Sequence, residues 1–302
     1  MLREFPNESF PMPRSQVPAT TRRVLLGNTR VTGKEQYYTP PAVAAGIMQK
    51  VKKRLGDLSG YTFLEPAGGT GAFINAAQAA GFNKFVSFDI EPHHKKVKLG
   101  DFLEEEISKQ HLITVSNPPF GRNNALSIPF FNKAAENSDL IVFIVPRSWR
   151  KWSVQNRLDR RFHLVRDDDL TINYVDVAGE DSHAKNRLRT CVQYWERRDT
   201  LRPLIKVEDM GIIARTTPEL ADIALTTFGY NCGKANTKFE RRKVSTQIYL
   251  KLLHPKAKQA IDNSDFSKFY LNTAYTEALS LPEINYVLNE YIFGDPKVQL
   301  IK

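Results

Sequence analysis

Cysteine is scarce in this chain. Only Cys191 and Cys232 occur among 302 residues, and neither belongs to a Cys-x-x-Cys pair or a Cys/His cluster. That argues against a disulfide framework and a structural zinc, and it fits a reducing compartment. Long apolar runs are missing too. No stretch approaches the roughly 18 apolar residues of a membrane span, and the opening Met1-Leu2-Arg3-Glu4-Phe5-Pro6 lacks the apolar stretch of a secretion signal. The expectation is a soluble intracellular protein with no membrane partner, cytoplasmic if the source is bacterial or a phage. Acidic residues are in deficit: 33 Asp and Glu stand against 43 Lys and Arg, a formal net charge of +10. Such an excess favours a polyanionic partner, through phosphate contacts and counterion release. With 41% hydrophobic and 25% charged residues the composition is that of an ordinary globular protein and excludes a disordered scaffold.

What is present starts with Asn117-Pro118-Pro119-Phe120, which closes the apolar run Leu112-Ile113-Thr114-Val115-Ser116. The run reads as a buried strand. Consecutive prolines cannot continue a ladder and keep the chain extended and stiff, so an amide, a carbonyl and an aromatic ring hold a fixed geometry at the strand's end. That suits a flat ring bearing an exocyclic amino group. The Asn117 side-chain oxygen and the Pro118 carbonyl can each accept one amino hydrogen, leaving the nitrogen lone pair free, while Phe120 stacks on the ring face. The plain alternative is a strand followed by a proline-rich turn.

The upstream sequence weighs against that alternative. Tyr61 to Phe73, YTFLEPAGGTGAF, reads as strand, glycine-rich turn and helix start, and the helix runs on to a stop at Gly81. A strand over Phe85–Phe88 ends on Asp89, well placed for two vicinal ribose hydroxyls at the carboxyl edge of a parallel sheet. Gly100-Asp101-Phe102 offers a second acidic group, able to accept from an adenine amino group.

In this order the segments resemble the S-adenosylmethionine-dependent DNA adenine-N6 methyltransferases in which the cofactor motif precedes the catalytic one. The resemblance covers roughly residues 34 to 200 and rests on Glu65 to Gly71, Asp89, Asp101-Phe102 and Asn117 to Phe120. A further family segment, folded over the methionine end of the cofactor, resembles Gln36-Tyr37-Tyr38-Thr39-Pro40-Pro41. The resemblance implies S-adenosylmethionine as cofactor, held by Tyr38, Thr39, Glu65, Ala67, Gly69, Gly71, Asp89, Ile90, Asp101, Phe102 and Asn117, with Thr39 touching its carboxylate. It implies Asn117, Pro118 and Phe120 as catalytic residues and N6 of a flipped-out adenine in DNA as the target. It implies no metal. RNA is the alternative substrate, a protein amide a more distant one, and a non-catalytic nucleic-acid-binding subunit that keeps the fold is the rival from outside the enzymes.

The organisation follows. Residues 1–33, with Pro6, Pro11, Pro13, Pro18 and several arginines, read as an extended basic arm. Residues 34–200 read as a Rossmann-like α/β methyltransferase domain with a mainly parallel sheet. A helix opened by Pro40 and Pro41 carries an apolar stripe of Val43, Ile47, Val51 and Leu55. A mobile loop after Phe120, a helix over Ile128–Asn137 and a fully buried strand over Leu140–Val145 come next. Thr171–Val177 and Thr190–Trp195 are expected to form an antiparallel edge hairpin. Residues 201–302 are expected to be a small α-rich module resembling a target-recognition region, with a helix from Gln247 to Leu253.

Arg147, Trp149, Arg150, Lys151, Trp152, Arg157, Arg160 and Arg161 interleave charge with aromatics after the fifth strand. They are expected to meet phosphates and bases, as are Arg122 and, in the appended module, Arg241, Arg242 and Lys243. His93 and His94 are expected at the surface, and Asp167-Asp168-Asp169 in a solvated turn.

Overall fold

The computed structural model describes residues 37–180 and 188–302. The arm expected over residues 1–33 lies outside them, as does Gln36. The chain enters on helix α1 (Pro41–Leu55), with proline in its first turn where a missing N–H costs nothing. Its buried face is Ala44, Ile47, Met48 and Val51. The stripe read from the sequence is therefore rotated: Ile47 and Val51 stay, while Val43 and Leu55 lie at its half-buried margins.

Strand β1 (Thr62–Glu65) is buried throughout and runs parallel to β2 (Lys84–Asp89) and to β4 (Leu112–Ser116). Helix α2 (Ala72–Ala80) connects β1 to β2, and the short β3 (Lys98–Leu99) continues outward beside β2. Helix α3 (Ser127–Ala134) leads to β5 (Ser138–Pro146), parallel to β4. The edge is made by β6 (Phe162–Leu170) and β7 (Thr190–Arg197), with β7 antiparallel to both β5 and β6. The order of this seven-stranded sheet is β3-β2-β1-β4-β5-β7-β6. It is a Rossmann-like sheet, mainly parallel with one antiparallel insertion. Apolar layers cover both faces. One gathers Ile47, Val51, Phe63, Ile74 and Val115 under α1 and α2, the other Leu64, Phe130, Phe131, Phe143, Trp149 and Trp195 around α3. Alternate residues of β1 thus feed opposite layers. The order of connection reverses between β1 and β4, which opens a crevice at the carboxyl ends of those two strands.

Two expectations are corrected here. The partner of β7 in the hairpin is Phe162–Leu170, not Thr171–Val177. The run Asp167-Asp168-Asp169 has the composition of a turn, yet it lies in β6 because cations neutralise it. Asp167 and Asp169 pair with Arg150, Asp169 also with Arg147, and Asp168 with Lys50 and Arg166. Thr171–Val177 instead leaves the sheet, and Val175 pairs its backbone with Tyr38.

The C-terminal part is not α-rich. It holds β8 (Leu204–Val207) paired with β13 (Val298–Ile301), and a four-stranded antiparallel sheet of β9 (Ile213–Arg215), β10 (Ile223–Thr226), β11 (Ala235–Asn236) and β12 (Gln247–Leu252) in the order β11-β10-β12-β9. The segment expected to be a helix from Gln247 is this sheet's inner strand β12. Its neighbouring residues face opposite ways, Tyr249 toward Ala221 and Ala224, Leu250 toward Ile223 and the helices. With the four-residue α4 (Trp152–Gln155) following β5, those helices are α5 (Ala257–Asn263), α6 (Ser267–Tyr270) and α7 (Leu281–Phe293). Ser280 and Glu283 form a capping box at the start of α7, and Gly294 ends it in a left-handed conformation. No helix among the described residues is long and apolar enough to cross a membrane.

Candidate active site

The crevice at the ends of β1 and β4 is a solvent-open cleft of about 270 Å³, lined by Tyr37, Tyr38, Thr39, Glu65, residues 67–70, Ala72, Phe73 and Asn117. Its floor is a carboxyl group. Glu65 is 1% exposed; its Oε1 accepts from the Ser116 hydroxyl at 2.5 Å and from the Ala67 N–H at 3.1 Å. Burial pushes the Glu65 carboxyl well above the usual range against the pull of those two bonds. Glu65 thereby joins the end of β1 to the end of β4 across the crevice.

The glycine-rich turn is shaped by contact. A Cβ at Gly69 (φ +44°) would fall 2.6 Å from the Tyr38 ring, and one at Gly71 (φ +79°) would fall 2.4 Å from the His94 ring. Neither position admits a side chain, so the Gly71-initiated helix α2 presents bare backbone to the cleft. Asp89 holds the turn: its Oδ2 accepts from the Gly69 N–H and its Oδ1 from the Glu91 N–H, each at 2.8 Å. Burial, followed by the charges of Asp89 and Glu91, pushes the Tyr38 hydroxyl up to about 12. His93 is exposed as expected, but His94 is half-buried over Gly71. Burial first, then Lys96 and Lys95, holds its imidazole below the ordinary histidine value.

Asn117 stands at the mouth. Its Nδ2 donates to the Tyr37 carbonyl at 2.6 Å, and its Oδ1 is buried with no hydrogen-bond partner among the described residues. The Thr39 hydroxyl, also in the cleft lining, is likewise buried and without a partner among the described residues. A buried polar atom left unsatisfied costs about 1–3 kcal/mol, so a polar group that reached either atom would relieve that cost. Phe120 is 6% exposed, with the Tyr37 ring alongside at 6.4 Å and within 18° of parallel.

The remaining predicted residues fall variously. Ile90 is exposed beside Asp89. Asp101 Oδ1 accepts from the Leu103 N–H at 2.8 Å. The Phe102 ring packs between Phe88 and Phe130 in the core, so its side chain does not line the cleft. Sequence reasoning missed Tyr174 and Tyr275. The Tyr174 ring lies 5.3 Å from Tyr37, and the Tyr275 hydroxyl is 3.4 Å from that of Tyr37. No local pattern announces them, because each meets Tyr37 from a part of the chain distant in sequence.

The cationic run after β5 is largely spent inside the protein. Arg147 and Arg150 pair with β6, Lys151 reaches Glu283 at 2.7 Å, Arg160 donates to the Arg202 carbonyl and Arg161 pairs with Asp159. Trp149 is fully buried and Trp152 packs on Phe269 and Tyr286. Arg241 donates to the Pro218 and Ala221 carbonyls and lies over Phe239, and Arg242 pairs with Glu240. Arg122 is exposed in a turn just beyond Phe120. Arg150 and Lys151 are thus held in ion pairs within the protein, whereas Arg122, Arg157, Arg241 and Lys243 are exposed without an ion pair among the described residues, and Arg242 pairs only at the surface.

No protein-family model and no curated protein sequence matches the chain. Solved structures do resemble it. A provisionally assigned RNA methyltransferase of Pyrococcus horikoshii is 22% identical over 54% of this chain and 88% of its own, with a TM-score of 0.43. The M protein of the type I restriction enzyme EcoKI is 16% identical over 54% of this chain and 44% of its own, at 0.42. The 23S rRNA methyltransferase ErmE is 14% identical over 55% of this chain and 71% of its own, at 0.38.

Proposed function

We propose that this chain transfers a methyl group from S-adenosylmethionine to the N6 amino group of an adenine in DNA. The observation that carries the reading is the Asn117 amide. Its nitrogen is pinned on Tyr37, and its buried oxygen lacks a partner at the mouth of a cleft built on a bare glycine turn. That is the arrangement an exocyclic amine would satisfy.

The residues present fit the cofactor. The orphaned Thr39 hydroxyl suits a carboxylate, the glycine turn admits close backbone approach, and Asp89 and Asp101 suit hydroxyl and amino donors, since a carboxylate oxygen accepts more than one hydrogen bond. S-adenosylmethionine supplies a methyl group already activated by its sulfonium. The chain's own part is positioning. Asn117 Oδ1 accepts one amino hydrogen and the Pro118 carbonyl the other, which holds the nitrogen lone pair out of the ring plane. Phe120 and Tyr37 supply an aromatic wall for the base. No covalent enzyme intermediate is needed. An adenine inside a duplex has its amine paired and its faces stacked, so it must leave the stack to reach Asn117. Residues 201–302 are the part we assign to target recognition, with nucleic acid as the partner.

The test is methyl-labelled cofactor offered with duplex DNA, single-stranded DNA and RNA, followed by nucleoside analysis. N6-methyladenine in DNA is the expected product. Label confined to RNA replaces the substrate, and label in a protein amide or in no acceptor overturns the nucleic-acid reading.

A further inference from the structure

Tyr230 is 91% exposed, the most exposed large apolar or aromatic side chain among the described residues. Exposed aromatics are ordinary on floppy loops, but this one stands on a rigid turn. Gly229 (φ +82°), Asn231 (φ +70°) and Gly233 (φ +90°) flank it in left-handed conformations. Backbone bonds lock the turn: Cys232 N–H to Gly229 O at 3.0 Å, Lys234 N–H to Asn231 O at 3.0 Å and Gly233 N–H to Thr226 O at 2.8 Å. The buried Cys232 anchors it from below. The backbone beneath the ring is thus fixed, and the ring itself stands in solvent.

Two further observations say what it is held out for. Lys234, at the base of the turn, and Lys238, just past β11, are exposed and make no ion pair among the described residues, so two unpaired cations share the β10–β11 hairpin with the ring. The turn is also tied to the segment that meets Tyr37, a residue of the cleft wall. Gly229 N–H donates to Glu277 O, Phe228 pairs its backbone with Ala278, and Tyr275 of the same segment meets Tyr37, whose carbonyl holds Asn117. An exposed aromatic ring on a hairpin that also carries unpaired lysines is the chemistry of a base-stacking, phosphate-neutralising contact.

We infer that Tyr230 stacks on a base of the nucleic-acid strand outside the catalytic cleft, with Lys234 and Lys238 on the adjoining phosphates. The inference rests on the nucleic-acid reading of the cleft. The experiment uses the full chain with fluorescently labelled duplex and single-stranded DNA, and compares wild type, Tyr230→Phe, Tyr230→Ala and the Lys234→Ala/Lys238→Ala double variant. Calorimetry with S-adenosylmethionine and a melting curve serve as controls for the fold. Tyr230→Ala is expected to bind DNA about 5- to 150-fold more weakly, with cofactor affinity and melting unchanged. Tyr230→Phe, which keeps the ring, is expected to bind like wild type. The double lysine variant is expected to flatten the slope of log affinity on log salt by about 0.9 per lysine. If wild type binds and methylates DNA but Tyr230→Ala binds equally tightly, or Tyr230→Phe is as weak as Tyr230→Ala, this inference is overturned and the proposed function stands. If wild type binds no nucleic acid, both fall.

Discussion

Asn117 Nδ2 donates to the Tyr37 carbonyl at 2.6 Å, and this bond decides which end of the amide faces the cleft. An asparagine is both donor and acceptor, and only its oxygen can hold an amine without consuming the nitrogen lone pair. The bond spans 80 residues of sequence, from the segment before α1 to the end of β4. The entry segment is therefore part of the site rather than a leader to it, and each half of the amide has a separate role.

Asn117→Ala is expected to lower single-turnover methyl transfer at least about a hundredfold, the scale of removing one preorganised hydrogen-bonding group. Cofactor affinity measured by calorimetry should stay near that of wild type. Loss of cofactor binding together with turnover would mean that Asn117 serves the cofactor and not the target.

Asp89→Ala is expected to weaken cofactor binding by about 1.5–3 kcal/mol, the worth of hydrogen bonds to a charged group. Part of the loss comes through the protein, since Asp89 Oδ2 holds the Gly69 N–H. Gly69→Ala tests the turn itself: its Cβ would lie 2.6 Å from the Tyr38 ring, so binding should fall even with Asp89 intact. Calorimetric titration of both variants reads the two effects, and unchanged affinity in both would remove the cofactor from this cleft.

Lys151→Ala is expected to destabilise the fold by about 3 kcal/mol, because it strands the Glu283 carboxylate, whose side chain is 3% exposed. Urea unfolding would measure it. The salt dependence of DNA binding should not change, since Lys151 lies inside an ion pair between the start of α4 and α7. A flatter salt slope in a Lys151 variant of unaltered stability would restore this residue to the phosphate path.

Glu65 gives the stability a pH dependence of definite sign. Burial raises the pKa of its folded-state carboxyl, so the folded protein retains a proton that the unfolded chain releases. Stability from this group is full below the unfolded value, about pH 4.3, and is lost as pH rises toward the folded value. Glu65→Gln keeps the hydrogen-bonding shape without the titration. Its unfolding free energy should therefore fall less than that of wild type as pH rises above the unfolded value. Equal slopes in the two proteins would show that Glu65 does not carry this pH dependence.

Local pattern alone made β1, β2, β4, β5 and α2 legible. Apolar runs ended by Pro66, Asp89, Asn117 and Pro146 have few ways to fold, and glycines at 69 and 71 mark where backbone must bend with positive φ. Asp89 and Asn117 could be named for the same reason, because each follows or ends one of these strands, whereas Thr39 is named through the family resemblance alone. What the tertiary structure decided were pairings between distant charges and faces. Three successive aspartates look like a turn until Arg147, Arg150, Arg166 and Lys50 arrive from other elements to neutralise them in β6. Arg150 and Lys151 look like phosphate ligands until Asp167 and Glu283 claim them. Gln247–Leu252 reads as a helix until β9 and β10 offer it ladders on both sides. Hydrogen-bonding ladders and Coulomb partners are non-local, so a window of sequence carries the period of an element and the identity of its end residues but not the partner that settles its charge or its edge.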